Sequence, residues 1–328
     1  MPPFAESTIA VVGDVHGHLQ LACAMLARWQ DELGVRFEAV FLCGDVGTFT
    51  DPSQLDSATR AHAKTNPCEL EFLHQWSTSP PAPWLDYIFK AQEAGGLGLD
   101  CPVVMVHGNH EGFDHLESLV PTAIPGRPVA IHKLPPVDPH GHIRLLPSGW
   151  RAELSSGLVV AGVGGIHPGQ RAADYHPMAY LDEAAVEHLL EAGPVDVLIT
   201  HQGPSHVQGT KGSELLDLLL DGGTARVWFH GHSINTPEPT QVGPGGQCLV
   251  VPLGDIAFHC PRGAPRQDFA YEVGQHGWAR ATIGARQVSV TKETPSFFRE
   301  FRRTHWTIRD GLLVCPPLAS VAWQVADG

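Results

Sequence analysis

The chain has 328 residues, 43% of them hydrophobic and 17% charged, a composition that is typical of a globular protein and excludes a disordered one. Its formal net charge of −14 argues against strong non-specific binding of duplex DNA, but it is compatible with a phosphorylated small molecule or a short nucleic acid as substrate. The sequence has no apolar run of the roughly 20 residues that a membrane helix needs, and no secretion signal. Seven scattered cysteines without a CxxC pair favour reduced thiols, so we expect a cytoplasmic protein.

Short apolar segments that end in polar or glycine-rich turns predict β-strands along most of the chain. In chain order these segments are 7–12, 37–42, 102–106, 157–163, 195–199 and 225–229. Apolar residues at helical spacing predict helices at 18–33, 181–192 and 212–220, between several of the strands. Strands that alternate with helices indicate an α/β domain with a largely parallel sheet, and such sheets bind ligands outside the carboxyl ends of their strands.

Residues 48–101 interrupt this alternation and predict a helical insertion. We expect helices near residues 68–77 and 83–93, on either side of the proline-rich run SPPAPW. The insertion is expected to cover one side of the ligand-binding cleft.

After about residue 245 the pattern changes to short strand-like segments, which we expect to form the antiparallel part of a second sheet. We divide the chain into a main domain, residues 1–260, and a C-terminal extension, residues 261–328, that packs on the same domain. The basic and aromatic segment 296–306 could stack nucleobases, although such a segment more often packs as an amphipathic helix on the body of the protein.

Polar residues with metal-binding chemistry follow the predicted strands, beginning with the turn GDVHG after the first strand. Asp14 and His16 lie two residues apart, so in extended backbone their side chains project to the same side and can converge on one cation. Alone, this pattern is equally compatible with an ordinary glycine-aspartate turn that carries an exposed histidine.

The later strands end in a similar way. They are followed by Asp45 in CGDVG, Asn109 and His110 in GNHE, His201 in TH, and His230 and His232 in HGH. Each of these residues alone is more typical of a turn than of a metal ligand, but their repeated position after apolar segments predicts that they gather on one edge of one sheet. Mixed carboxylate, imidazole and amide ligands suit Mn, Fe, Zn or Ni, and Asp45 is the candidate to bridge two such ions roughly 3.5–4 Å apart.

Taken in this order, GDVHG, GDVG, GNHE, TH and GH resemble the signature of the calcineurin-like metallophosphoesterases over residues 8–255. The resemblance implies the metallo-dependent phosphatase fold, a double β-sheet sandwich flanked by helices, with two divalent metal ions at the strand ends. Manganese is the ion that we expect to support activity in vitro. The implied ligands are Asp14, His16 and Asp45 for the first ion and Asp45, Asn109, His201 and His232 for the second. The resemblance also implies that His110 stabilises the transition state or protonates the leaving oxygen, and that Glu111 is a turn or supporting residue.

One motif departs from the family pattern. Many members carry Gly-His-x-His, whose second histidine binds the first metal, but this chain has Ile234 at that position. Under this alignment the first metal has three protein ligands, and His230 is a nearby supporting or core residue. Under the alternative alignment, His230 and His232 form the His-x-His pair.

A second departure concerns the substrate. Serine/threonine phosphatases extend the second motif as GDxxDRG, in which the second aspartate pairs with the catalytic histidine and the arginine grips phosphate, whereas this chain has GDVGTFT. The longer runs GNHEGFDHLESL and GVGGIHPGQRAADYHP instead resemble the RNA lariat debranching enzymes. We therefore expect a phosphodiesterase that hydrolyses a nucleotide or RNA phosphodiester with a hydroxide activated by two metal ions. Arg171 is either a phosphate contact or a solvated loop residue.

Two other functions stay open at this point. The first is a phosphomonoesterase that acts on small metabolites or phosphoproteins. The second is a partner-binding module that keeps the fold without catalysis. Such a module is expected to have lost metal ligands, whereas nearly all of them are present in this sequence.

Overall fold

The computed structural model describes residues 6–64, 66–79, 83–169, 175–207, 212–233, 236–259, 272–301, 307–309 and 312–314. The strands among them are β1 (Ser7–Val12), β2 (Ala39–Leu42), β3 (Val103–Met105), β4 (Val129–Ala130), β5 (Ile143–Leu145), β6 (Arg151–Glu153), β7 (Val159–Val163), β8 (Val195–Thr200), β9 (Ala225–His230), β10 (Thr240–Val242), β11 (Cys248–Pro252), β12 (Phe258–His259), β13 (Glu272–Val273), β14 (Trp278–Ile283), β15 (Val288–Lys292), β16 (Thr307–Arg309) and β17 (Leu312–Val314). The α-helices are α1 (Leu19–Leu33), α2 (Ser57–Ala63), α3 (Pro83–Phe89), α4 (Phe113–Leu119), α5 (Glu183–Ala192) and α6 (Glu214–Asp221).

The six strands that the apolar segments predict are all present, as β1, β2, β3, β7, β8 and β9, with bounds that shift by no more than two residues. The first three are parallel neighbours in a six-stranded sheet with the order β15-β14-β1-β2-β3-β5. The other three are parallel neighbours in a seven-stranded sheet with the order β10-β11-β9-β8-β7-β6-β4. The predicted alternation of strands and helices is therefore divided between two sheets.

The two sheets pack face to face through an apolar layer. Ile9, Val11 and Phe41 of the first sheet and Val197 and Phe229 of the second belong to one hydrophobic cluster, and each is at most 1% exposed. Side chains of a strand alternate between its two faces, so the opposite faces of both sheets also require cover.

Helices provide that cover. On the first sheet, α1 packs Leu19 and Met25 into the cluster that contains Val12 of β1. On the second sheet, α5 and α6 bury Val186 and Leu216 in a cluster with strand residues of β7, β8 and β9. These layers confirm the prediction of a double β-sheet sandwich flanked by helices.

The expectation for the segments after residue 245 is confirmed only in part. The strand β11 lies in the second sheet, where it is antiparallel to β10 and parallel to β9. The strand β14 is antiparallel, but it pairs with β1 of the first sheet. Because β1 has β2 on one side only, its other edge needs a hydrogen-bonding partner, and β14 supplies it. The division into residues 1–260 and 261–328 stays a prediction.

The insertion, residues 48–101, packs on the α1 side of the first sheet. The predicted helix near 68–77 is a 3-10 turn followed by a π-helical turn, Phe72–Trp76, and the helix predicted at 83–93 is the shorter α3. Phe72 and Trp76 are buried in the same cluster as α1. The two helices predicted within the insertion do not include α2, whose N-cap residue is important for the site described below.

The described part of the aromatic segment 296–306 packs on the body of the protein. A 3-10 helix, Phe298–Phe301, follows Phe297, and Phe297 and Phe301 are 4% and 1% exposed. The guanidinium of Arg28 in α1 lies 4.3 Å from the centre of the Phe297 ring. These two phenylalanines are therefore core residues. Among the described residues, no helix combines the length and the apolar character needed to cross a membrane.

Candidate metal centre

The predicted ligands lie at the carboxyl ends of parallel strands, and they come from both sheets. Asp14, Asp45 and Asn109 follow β1, β2 and β3 of the first sheet, whereas His201 and His232 follow β8 and β9 of the second. The expectation that one edge of one sheet holds all of them is therefore wrong. Because both sheets present their carboxyl ends to the same rim, the side chains nevertheless meet.

Two groups of side chains at this rim have the composition and spacing of metal sites. The first group is Asp14, His16 and Asp45, and the second is Asp45, His201 and His232. Within each group the potential ligand atoms all lie within 4.8 Å of one another. Asp45 belongs to both groups, which is the position required of a carboxylate that bridges two ions.

Hydrogen bonds orient the second group. Nδ1 of His201 donates to the carbonyl oxygen of Cys43 at 2.8 Å, so Nε2 is the nitrogen with a lone pair. That Nε2 lies 3.1 Å from Oδ1 of Asn109 and 3.4 Å from Oδ1 of Asp45. An imidazole nitrogen, an amide oxygen and a carboxylate oxygen thus face one point, as a shared cation requires.

Backbone donors hold the two carboxylates in place. Oδ1 of Asp45 accepts the N–H groups of Asn109 at 2.7 Å and His110 at 2.9 Å. The carboxylate of Asp14 accepts the N–H of His232 at 3.0 and 3.1 Å. The aspartate of one turn therefore fixes the backbone of another, and this connects the ligand-bearing turns.

Gly108 is required by this close approach. The φ of Gly108 is not positive, so left-handed backbone is not the reason for a glycine at this position. A Cβ atom at this position would instead collide with the side chain and the backbone nitrogen of Asp45. Any larger residue would displace the proposed bridging carboxylate.

The backbone is strained where ligands leave the strands. His16, Asp45 and His232 have φ values of 43°, 47° and 50°, and they are the non-glycine residues in the described part of the chain with positive φ. Left-handed backbone is uncommon outside glycine, and it is concentrated at functional sites. All three positions are predicted metal ligands.

The negative charge of the carboxylates around the first group favours binding of a cation. Burial raises the pKa of Asp14, and the neighbouring charge of Asp45 raises it further. Burial lowers the pKa of His16, but the carboxylates of Asp255, Asp45 and Asp14 outweigh burial and raise the pKa to about 10. The single positive charge of protonated His16 thus faces several carboxylates. A divalent cation would neutralise them more fully than that proton does.

The second group offers ligands in the protonation states that metals need. Burial lowers the pKa of His201 and lowers that of His232 to about 4, so both imidazoles are neutral near pH 7. Burial raises the pKa of Asp45, but the positive charges that the surrounding imidazoles carry in acid, that of His201 first, outweigh burial and hold the pKa of Asp45 well below its usual range. An ionised carboxylate between neutral imidazoles is a donor set that fits a transition-metal ion.

Comparison with known families decides how this site is classified. A family model described as calcineurin-like phosphoesterase matches residues 7–235, more than half of the chain. The chain belongs to this family. As a calcineurin-like phosphoesterase it is a hydrolase of phosphoester bonds, from a family that generally uses divalent metals.

Other comparisons add little to this assignment. A search of curated proteins gives no match. One matching crystal structure aligns with 88% of this phosphoesterase and 100% of its own chain, at 12% identity and a TM-score of 0.44. Similarity at this level carries no functional inference.

His110 of this phosphoesterase has a carboxylate partner that the sequence did not reveal. Its Nδ1 lies 3.0 Å from Oδ2 of Asp56, which belongs to the insertion. The other oxygen of Asp56 accepts the N–H groups of Ala58 and Thr59 at 2.8 and 2.9 Å, so the residue is also the N-cap of α2. From sequence, Asp56 is recognisable only as a helix cap. It nevertheless pairs with His110, although the GDxxD aspartate is absent.

We expect Asp56→Asn to lower kcat about 10- to 100-fold with little change in KM. The reason is that His110 would lose the negative charge that orients its imidazole and stabilises the protonated form. Asparagine is as good an N-cap as aspartate, so α2 should be retained. The same substitution made in the His110→Ala background should cause little further loss, because Asp56 acts through His110. A full additional loss in that double variant would show that Asp56 acts through another residue.

Glu111 is also more important than its sequence context suggests. Its buried carboxylate accepts the N–H groups of Val46, Gly47 and Thr48 at 2.8–3.0 Å and the hydroxyl of Thr48 at 2.8 Å. It therefore joins the GNHE turn to the turn that carries Asp45. Sequence reasoning left its role open because all these partners are distant along the chain.

Three other residues considered in the sequence analysis are His230, Arg171 and Ile234. His230 is fully buried, its Nδ1 lies 2.9 Å from the carbonyl oxygen of Gly231, and it belongs to neither group of potential ligands. Arg171 and Ile234 lie outside the described residues. His232 is therefore the histidine of the HGH motif that joins His201 and Asp45.

Proposed function

We propose that this calcineurin-like phosphoesterase is a phosphodiesterase that hydrolyses a nucleotide or RNA phosphodiester with two divalent cations. The observation that carries the proposal is the position of Asp45, which belongs to both ligand groups and holds the backbone of His110. The residues that would hold the cations are Asp14, His16, Asp45, Asn109, His201 and His232. When bound, the cations supply Lewis-acid chemistry at the phosphoryl group.

The part assigned to His110 is proton donation to the leaving oxygen. Burial lowers the pKa of His110, but the hydrogen bond to Asp56 and the charges of Asp45 and Asp56 outweigh burial and raise it above its usual value. These interactions favour the protonated form of the imidazole, with Nδ1–H donated to Asp56. This leaves Nε2–H as the donor for an alkoxide that departs from phosphorus.

The cleft beside His110 supports a diester as substrate. A cavity of about 440 Å³ opens there, and none of the described residues that line it is a lysine or an arginine. A monoester carries up to two negative charges and favours cationic contacts, whereas a diester carries one charge and a second organic group. Tyr175, which is 49% exposed, and the parallel rings of Phe113 and His176, 5.3 Å apart, offer flat surfaces for that group.

The proposal is tested with protein stripped by a chelator and reconstituted with Mn²⁺. We expect no hydrolysis without metal, and with Mn²⁺ a kcat/KM for bis(p-nitrophenyl) phosphate at least about 10-fold above that for p-nitrophenyl phosphate, a difference of about 1.4 kcal/mol in the barrier. The reverse preference would support a phosphomonoesterase. Full metal binding without turnover of either ester would indicate a non-catalytic module.

One observation favours the phosphomonoesterase alternative. Serine/threonine phosphatases pair their catalytic histidine with an aspartate, and Asp56 forms such a pair with His110 in this chain. The arginine that accompanies that aspartate in GDxxDRG has no counterpart in GDVGTFT. Among the described residues that line this cleft, no lysine or arginine accompanies the pair, so the diester remains the substrate that we propose.

A further inference from the structure

A third glycine-aspartate turn reaches the rim of the candidate metal centre. The strand β11 ends at Pro252 and continues as Leu253, Gly254 and Asp255, which repeats the arrangement of Gly13 with Asp14 after β1. Because β11 is parallel to β9, its carboxyl end lies beside the end that carries His232. The carboxylate of Asp255 therefore lies at the same rim, although β11 carries none of the sequence motifs that predicted the metal ligands.

Backbone contacts fix this turn against the first ligand group. The N–H of Ile256 donates to the carbonyl oxygen of Asp14 at 2.9 Å. A Cβ atom on Gly13 would collide with the carbonyl oxygen of Gly254, so the two glycine-aspartate turns are in direct contact. The position of Asp255 is thus tied to that of Asp14.

The carboxylate of Asp255 approaches the group from the His16 side. Its Oδ2 lies 3.8 Å from Nε2 of His16, and Oδ2 of Asp45 lies 3.9 Å from the same nitrogen. Both distances are too long for hydrogen bonds. They match the separation of two ligands on one ion, because metal–ligand bonds of about 2.0–2.2 Å place neighbouring ligand atoms about 3–4 Å apart.

The orientation of Asp255 is set from its other oxygen. Its Oδ1 accepts the N–H of Ala257 at 2.6 Å, which turns Oδ2 toward His16. The side chain is 27% exposed, so an ion entering from solvent can reach it. The first group otherwise has three potential protein ligands, one of which, Asp45, is shared with the second group. Asp255 itself lies outside the 4.8 Å spacing of that group, so its carboxylate would have to move toward the other ligands when an ion binds.

We propose that Asp255 is an additional ligand for the cation held by Asp14 and His16. This inference rests on the proposed function, because it assumes two cations. Its consequence is a site richer in oxygen donors than the one that the motifs define. Carboxylate oxygens favour Mn²⁺ over Zn²⁺ relative to imidazole nitrogens, so Asp255 biases this position toward Mn²⁺.

The test measures Mn²⁺ and Zn²⁺ binding to chelator-stripped full-length protein by calorimetry and elemental analysis. Asp255→Asn retains an acceptor for the N–H of Ala257, and Asp255→Ala removes both oxygens. The control is Asp221→Asn, which removes the same charge at an exposed position at the end of α6. Circular dichroism of each variant verifies that it is folded.

We expect the wild type and Asp221→Asn to bind two Mn²⁺ ions. Both Asp255 variants should bind one ion normally and the other at least about 10-fold more weakly, with a smaller loss for Zn²⁺. Two Mn²⁺ ions bound with wild-type affinity by folded Asp255→Ala would overturn this inference and leave the proposed function intact. A single ion bound by the wild type would overturn the two-cation proposal, and this inference with it.

Discussion

Asp45→Asn is expected to remove measurable phosphoester hydrolysis, with a loss of more than about 100-fold, and to weaken the binding of both cations. The reason is that Asp45 is shared by the two ligand groups, so one substitution removes a negative charge from both. The other predicted ligands serve one group each. A substitution at His201, for example, should weaken one ion much more than the other.

The measurement is the Mn²⁺ content of the variant after dialysis, alongside its activity on the diester. Asparagine still offers an oxygen to the N–H groups of Asn109 and His110, so the turn should hold its shape. Thermal unfolding in the presence of a chelator provides the control for folding. Two Mn²⁺ ions per chain in Asp45→Asn would refute the bridging role.

His110→Ala is expected to lower kcat about 100- to 10,000-fold while the chain still binds two Mn²⁺ ions. His110 belongs to neither ligand group, and its described hydrogen bonds join it to Asp45 and Asp56. Since the hydrogen bond from His110 to Asp45 is donated by the backbone N–H, alanine preserves that hydrogen bond. His74→Ala, at an exposed position in the insertion, is the matched control.

The choice of leaving group separates the two roles open to His110. If the imidazole protonates the leaving oxygen, the loss in His110→Ala should be smaller for p-nitrophenolate than for a nucleoside alkoxide, because p-nitrophenolate departs without a proton. Equal losses on both substrates would assign His110 to stabilisation of the transition state instead. Unchanged turnover would remove His110 from the mechanism.

The sequence predicts the strands of this fold better than their pairing. Apolar segments predict the bounds of β1 and β9 to within one or two residues, because a buried strand must itself consist of apolar residues. Which strands pair with one another depends on segments that are far apart along the chain, and these pairings leave no local pattern in the sequence. The pairing of β14 with β1 is an example, since it joins two segments that are far apart along the chain.

The same distinction applies to the site. Asp14 and Asp45 follow neighbouring parallel strands of one sheet, so their convergence can be predicted once parallel strands are assumed. The approach of His201 from the second sheet could not be predicted in this way. Asp56 caps a short helix in the insertion and reaches His110 from 54 residues away. Nothing in the residues around Asp56 distinguishes it from an ordinary helix cap, so only the folded chain reveals the pair.

The left-handed backbone at His16, Asp45 and His232 has a consequence for how ions are captured. Each such conformation costs on the order of 1–3 kcal/mol, and the sheets that surround the turns hold it in place. The ligand atoms are therefore oriented before an ion binds, and the free energy of folding compensates the cost of orienting them. An ion bound by these three proposed ligands would meet donors that are already oriented, so its affinity would reflect coordination with little loss to rearrangement of their backbone.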